Sequence, residues 1–309
     1  MAKTVSAPKS TSSKPTATAG GRPAGLFTWV AVGVVVVIVA TLVIVKVVSG
    51  GPTSTNSGVW VATDPTTAAQ VTGIPASVFN AVGVSESSAV TAPLTLKGQP
   101  ALSAKLADGT TVPEVLYVGA EYCPFCAAER WATIAALSRF GTWTGLGNTE
   151  SSSVDVYANT PSFTFLKAKF TSNYLVFRGI EEYNNVYNAA ANPPYGTLMK
   201  PTKAEQAIFA KYDTSKYINM SASNDGAIPF ISMGNKFLVS GASYNPGLLT
   251  GLTRTQIASN LSATSSPITK AIITSANEQT AAICTLTNQQ PANVCSSPGV
   301  KAAKSLMKL

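Results

Sequence analysis

Four cysteines and no histidine bound the chemistry open to this 309-residue chain. Two of the cysteines, Cys123 and Cys126, stand two residues apart in Tyr-Val-Gly-Ala-Glu-Tyr-Cys-Pro-Phe-Cys-Ala-Ala-Glu-Arg-Trp, residues 117–131. Such a pair can exchange disulfides, supply half of a metal site or form an inert staple. The other two, Cys284 and Cys295, have ten residues between them. Zinc takes four ligands, usually as two close pairs, so these cysteines make a poor zinc set. A two-thiolate copper(I) site is chemically open. The absence of histidine removes Ser-His-Asp and Cys-His nucleophile pairs and histidine pH switching. No nucleotide or flavin fingerprint occurs, so the reading carries no cofactor and no metal.

The elements that would position the first pair are legible nearby. Residues 115–120, Val-Leu-Tyr-Val-Gly-Ala, are a short continuous apolar run, the pattern of a strand buried on both faces. Residues 127–140 are rich in helix formers. They place Trp131, Ile134, Ala135 and Ser138 on one face and are followed by Gly141, a good helix stop. The pair therefore sits at a strand-to-helix junction, on the first helical turn. Upstream, a helix is expected at 74–83, a strand at 94–96, and turns at Lys97-Gly98 and Asp108-Gly109. Downstream, residues 163–166 and 174–177 read as strands and residues 192–196 as a loop. Thr202 and Glu205 form a capping box opening a helix through Tyr212. Residues 228–241 hold two apolar runs around Gly234-Asn235, a hairpin with Pro229 at the head of its first strand. Helices are expected at 253–261 and 268–286. No period of 20–50 residues repeats, which excludes a solenoid or propeller.

The formal charge of +8 is unevenly placed. Residues 1–48 contribute Lys3, Lys9, Lys14, Arg22 and Lys46 with no acid, and the C-terminus adds Lys301, Lys304 and Lys308. The remaining 22 − 8 = 14 basic residues balance 14 acidic ones, which argues against nucleic acid as a partner. Residues 26–45 pass without a charge, about 30 Å of helix, the thickness of a bilayer core. A signal peptide has a shorter apolar region and a small-residue cleavage site. We therefore expect a basic disordered cytoplasmic tail at 1–25, a transmembrane helix at 26–48 and a flexible stalk at 49–59. An exported domain at 60–298 and a basic tail at 299–309 follow. The one-sided basic flank puts the N-terminus in the cytoplasm and the domain outside the cell membrane.

In this setting Glu121-Tyr-Cys-Pro-Phe-Cys126 resembles the active-site turn of the thioredoxin-like superfamily, its Pro-Phe dipeptide being nearer the glutaredoxin type. Pro229 falls where that superfamily places a cis-proline facing its cysteines. Over residues 70–290 the chain is similar to a family catalogued as domain of unknown function 929. The residues that carry this are 117–141, 153–165, Ser172-Asn-Tyr-Leu-Val-Phe and Ile228-Pro-Phe. The resemblance implies an α/β thioredoxin-like fold, a mixed sheet flanked by helices with a helical insertion, after one N-terminal transmembrane helix.

A helix N-terminus lowers a thiol pKa, so Cys123, outermost, is expected to attack and Cys126, one turn in, to resolve the mixed disulfide. Ile228 and Pro229 would present backbone to an extended substrate. Glu121 and Glu129 could move protons for Cys126, against the alternative of solvated charges or helix-dipole partners. Arg130 reads as a surface or ion-pair residue, and Trp131, Phe140 and Trp143 as core. Cys284 and Cys295 read as a structural disulfide, with a second redox pair as the alternative. The function expected is a membrane-anchored, extracytoplasmic thiol–disulfide oxidoreductase acting on thiols or disulfides of exported proteins, with electrons exchanged through an unidentified partner protein. The alternative is a non-enzymatic exported thioredoxin-like module with a stapled cysteine pair.

Overall fold

The structure is a computed structural model that describes residues 58–85, 89–218 and 221–309. The expected tail, the apolar span and nearly all of the expected stalk lie outside these residues. Among the described residues no helix is long and apolar enough to cross a membrane.

The described chain opens with β1 (Val61–Ala62), α1 (Pro65–Thr72), α2 (Ala76–Val82), β2 (Leu94–Thr95), β3 (Ser103–Lys105) and β4 (Thr111–Gly119). Then come α3 (Pro124–Leu137), β5 (Gly141–Thr144), β6 (Gly147–Glu150), β7 (Pro161–Thr164), β8 (Lys169–Ser172) and β9 (Val176–Glu181). A hairpin of β10 (Tyr183–Tyr187) and β11 (Tyr195–Thr197) leads to α4 (Lys203–Tyr212), β12 (Phe230–Met233) and β13 (Phe237–Ser240). The chain ends with α5 (Arg254–Asn260), α6 (Pro267–Leu286), α7 (Ala292–Cys295) and α8 (Pro298–Met307).

The central sheet is mixed. Strand β4 pairs parallel with β9, Glu114 opposite Val176 through Gly119 opposite Glu181. On its other side it pairs antiparallel with β12, Val118 opposite Phe230. Strands β13 and β2 continue that side, and β3 covers the first residues of β4. Alternation along β4 explains its unbroken apolar run. Val115 and Tyr117 point into a core with Trp131, Ile134 and Leu137 of α3 and Ile272 and Ile283 of α6. Leu116 and Val118 point the other way, into a core with Ile180, Tyr212, Phe230 and Leu238, closed by Ile208 and Phe209 of α4. Both faces are covered, so neither set of positions can be polar.

The hairpin of β12 and β13 turns through Gly234 and Asn235, both with positive φ (61° and 54°), the geometry the Gly-Asn pair predicts. The capping box also forms: Thr202 N–H donates to Glu205 Oε2 at 2.6 Å and Glu205 N–H to Thr202 Oγ1 at 3.3 Å. Two expectations need correction, and one helix stands where none was expected. The insertion between α3 and β9 is built of strands, not helices: β5 pairs with β8, and β6 joins β7 and β1. Its Thr, Trp and Phe residues favour the pleated surface, and Trp143, Phe165, Phe170 and Phe177 pack on one another. Helix α1 was unforeseen, although Asp64 caps it by accepting the Thr67 N–H at 2.9 Å and Pro65 opens it. The segment expected as a basic tail is helix α8, with Val300 and Ala303 fully buried.

Candidate functional site

Strand β4 ends at Gly119, a short turn follows, and Cys123 is the N-cap of α3 with extended backbone (φ −79°, ψ 121°). Its sulfur accepts the Cys126 N–H at 3.3 Å, one of the donors a helix start leaves unpaired. Pro124 occupies the first helical position, where no N–H is needed. Across from the turn, the Cys123 thiol donates to the Ile228 carbonyl at 3.5 Å. The Ile228–Pro229 peptide bond is cis. The fold thus brings together Cys123, Cys126, Ile228 and Pro229, more than a hundred residues apart, by pairing β4 with β12.

Both sulfurs of this pair are free thiols. Cys126 is fully buried and Cys123 only 5% exposed, less open than its expected role suggests. Phe125, between them, is 39% exposed and meets Tyr157 edge to face at 5.9 Å. Burial pushes the Cys123 thiol up. The Cys126 thiol and N–H, the Arg130 guanidinium and the Phe125 N–H outweigh it, and the thiol lies below its ordinary range. Cys126 goes the opposite way: burial and the neighbouring Cys123 sulfur hold its thiol well above the usual value. The two thiols are therefore electrostatically unlike, one disposed to ionise and one to keep its proton.

The layer beneath is charged. Arg130, expected at the surface or in an ion pair, is completely buried and donates from Nε and Nη2 to both oxygens of Glu181, at 2.8 and 2.7 Å. Burial opposes the guanidinium's charge, but Glu181 and Tyr117 overcome this and hold it protonated. Glu181 is pushed up by burial and pulled back by Arg130 and by the Phe165 N–H at 3.3 Å. The sequence placed Arg130 one turn beyond Cys126 on the same helix face, but nothing local pointed to Glu181, which β9 delivers.

The hydrogen bonds of the expected proton carriers go to groups other than the sulfurs. Glu121, 8% exposed, lines a cavity of about 240 Å³ of mixed polar and apolar lining with Trp60, Asn148, Thr149 and Arg254. Burial raises its pKa, against hydrogen bonds from Thr164 and Thr149. Glu129 is fully buried rather than solvated, and it faces α6. It accepts from Ser243 N–H at 2.7 Å, Ser243 Oγ at 3.1 Å and Gln279 Nε2 at 2.7 Å. Burial pushes it up to about 7. Trp131 and Phe140 are core, as expected, and Trp143 packs against that core. The Trp131 indole donates to Pro161 O at 3.0 Å. Cys284 and Cys295 are bonded to each other, Cα atoms 5.5 Å apart, so the pairing expected for a staple is present.

A family model described as Domain of unknown function (DUF929) matches residues 102–285, more than half of the chain, and the chain belongs to that family. No curated protein and no solved structure matches it.

Proposed function

We propose that this member of the DUF929 family is a thiol–disulfide oxidoreductase of thioredoxin-like architecture, working through Cys123 and Cys126. The observation that carries the reading is Cys123 at the start of α3. It is acidified there by Cys126 and Arg130 and faces the carbonyl that precedes cis-Pro229. The sheet order β9-β4-β12-β13 supports the architecture, with β9 parallel to β4 and the last two strands antiparallel. A thioredoxin-like core whose cysteine helix follows the central strand would have this order, with the β5–β8 segment as an insertion.

The chemistry follows from the asymmetry of the pair. Cys123 thiolate attacks one sulfur of a partner disulfide; the Cys123–partner bond forms and the partner's other sulfur leaves as a thiolate. Cys126 then loses its proton and attacks Cys123. The Cys123–Cys126 bond forms, the partner is released as a dithiol, and two electrons have passed to it. The reverse sequence oxidises a partner dithiol, and the relative reduction potentials set the direction. Partner proteins are those exported across the membrane, and a second redox protein restores the pair. The charge-free span at 26–45 and its basic N-terminal flank support an anchor with the domain outside. A membrane-impermeant maleimide should then label Cys123 in intact, reduced cells; protection until lysis would reverse this orientation.

Replacing Cys126 with Ser is the decisive experiment. It should strand partners as reducible mixed disulfides on Cys123. A variant that traps nothing, in a chain whose wild type exchanges with no model disulfide, would leave the fold as a binding or structural module.

A further inference from the structure

The exchange just described uses the buried cation under the cysteine turn only in helping to acidify Cys123. Arg130 stands four residues after Cys126, and long helical side chains lean back toward the helix N-terminus. Its Nη2 donates to Ala120 O at 2.7 Å, and the backbone of the same Ala120 lies against the Cys126 sulfur. The guanidinium and the sulfur therefore flank one residue. The guanidinium carbon is 5.9 Å from the centre of the Tyr117 ring, whose hydroxyl occupies the space that a Cβ at Gly119 would fill. Two polar atoms in this layer are buried and unpartnered: Arg130 Nη1 and the Tyr117 hydroxyl. The charged and titratable groups around it are Tyr117 from β4, Glu121 and Tyr122 from the turn, the two cysteines and Glu181 from β9. Arg130 acts on both thiols in the direction that favours the thiolate.

We propose that Arg130, fixed by Glu181, is a positioning residue for thiol–disulfide exchange: the buried cation that stabilises the Cys126 thiolate while it attacks Cys123. The inference rests on the reading of Cys123 and Cys126 as an exchange pair. A thiolate with no solvent around it is costly unless an opposite charge is near, and in a low-dielectric interior that charge acts more strongly than in water. In the resolving step the Cys126 proton passes to solvent and the Cys126–Cys123 bond forms. The Cys123–partner bond breaks, and the departing partner thiolate takes a proton from solvent. The same cation eases ionisation of Cys123 in the first step. Glu181 makes it tolerable to bury the guanidinium when no thiolate is present.

The test titrates Cys123 in the full chain by iodoacetamide alkylation and peptide mapping over roughly pH 4 to 10. It also times the decay of its mixed disulfide with a model disulfide. Arg130→Met combined with Glu181→Met removes both charges at similar volume. The midpoint should rise, alkylation at neutral pH should fall about tenfold, and the mixed disulfide should persist about tenfold longer. Glu181→Gln alone leaves the cation without its counter-charge, and the midpoint should move down. Loosened packing cannot produce shifts of opposite sign. An unchanged or raised midpoint in Glu181→Gln overturns the proposal, as does a folded double variant that resolves at the wild-type rate. If the double variant does not fold, the sign of the Glu181→Gln shift decides. The alkylation midpoint needs no turnover. A wild type that titrates as expected yet exchanges with no disulfide therefore sinks the oxidoreductase reading without touching the measured action of Arg130.

Discussion

The two cysteine pairs of this chain share a residue type and little else. Cys123 and Cys126 open helix α3, with sulfur, N–H groups and a carbonyl facing one another and a guanidinium below. Cys284 and Cys295 close the end of α6 onto α7, inside the large apolar core, 0% and 3% exposed. A helix start and a cation favour a thiolate; an apolar interior disfavours one. The first pair thus has one sulfur disposed to ionise, and the second is set to stay bonded and tie α7 to the end of α6. Spacing alone does not separate these fates. What surrounds each sulfur does.

Substitutions sharpen the contrast. The largest effect expected is from Cys123→Ser, which should lower exchange with a model disulfide by more than about a thousandfold, the order seen when a covalent nucleophile is removed. The fold should barely notice, because serine is itself a good N-cap and can accept the Cys126 N–H. A matching loss of stability would make the first pair structural and erase the distinction. Replacing Cys284 and Cys295 together by Ala should do the reverse. Opening a loop of separation 11 should cost about 3 kcal/mol in denaturant unfolding, with exchange by the folded fraction unchanged. Loss of exchange in that variant would instead support a relay between the pairs.

A smaller effect concerns the interface between the two regions, where Glu129 of α3 meets Gln279 of α6. Glu278 beside it has both carboxylate oxygens buried without partners, and burial together with Glu129 pushes it to about 7. Glu129 also rises from 4.5 to about 7 in the folded protein, so the folded state holds a proton that the unfolded state has released. Stability is greatest below pH 4.5 on this account and is lost as pH rises from there through about 7, by about 3 kcal/mol at most for Glu129. Glu129→Gln should flatten the dependence of the urea midpoint on pH across this window. An equally steep profile in the variant would mean that Glu129 does not set it.

Much of this was written locally. The strand at β4, the helix after the cysteines, the Thr202 capping box and the Gly234-Asn235 hairpin each rest on neighbours within a few residues, and each forms. The insertion is only partly legible: the strand expected at 163–166 overlaps β7, whereas β5, β6 and β8 are short and find their partners, β1 among them, well outside any local window. Helix α8 escaped because its lysines masked two core positions, Val300 and Ala303. At the site, Cys123 and Cys126 announced themselves by spacing and by the strand and helix around them. Glu121 and Glu129 lie equally close in sequence, which leaves proton transfer and a solvated or helix-dipole charge both open for them. Direction along a helix or turn cannot be known until its packing partner is.

The sequence alone thus determined the close cysteine pair, its seat at a helix start, the proline-led hairpin and the pairing of the late cysteines, because all of these depend on residue type and short spacing. Only the tertiary structure decided what each charge faces. Arg130 meets Glu181 because β9 lies parallel to β4, and Ile228 meets Cys123 because β12 lies antiparallel to it. Glu129 turns to α6 because that helix packs on α3 and leaves the carboxylate no solvent to face. Burial and charge pairing are sums over neighbours distant along the chain, and these are assembled only when the sheet closes.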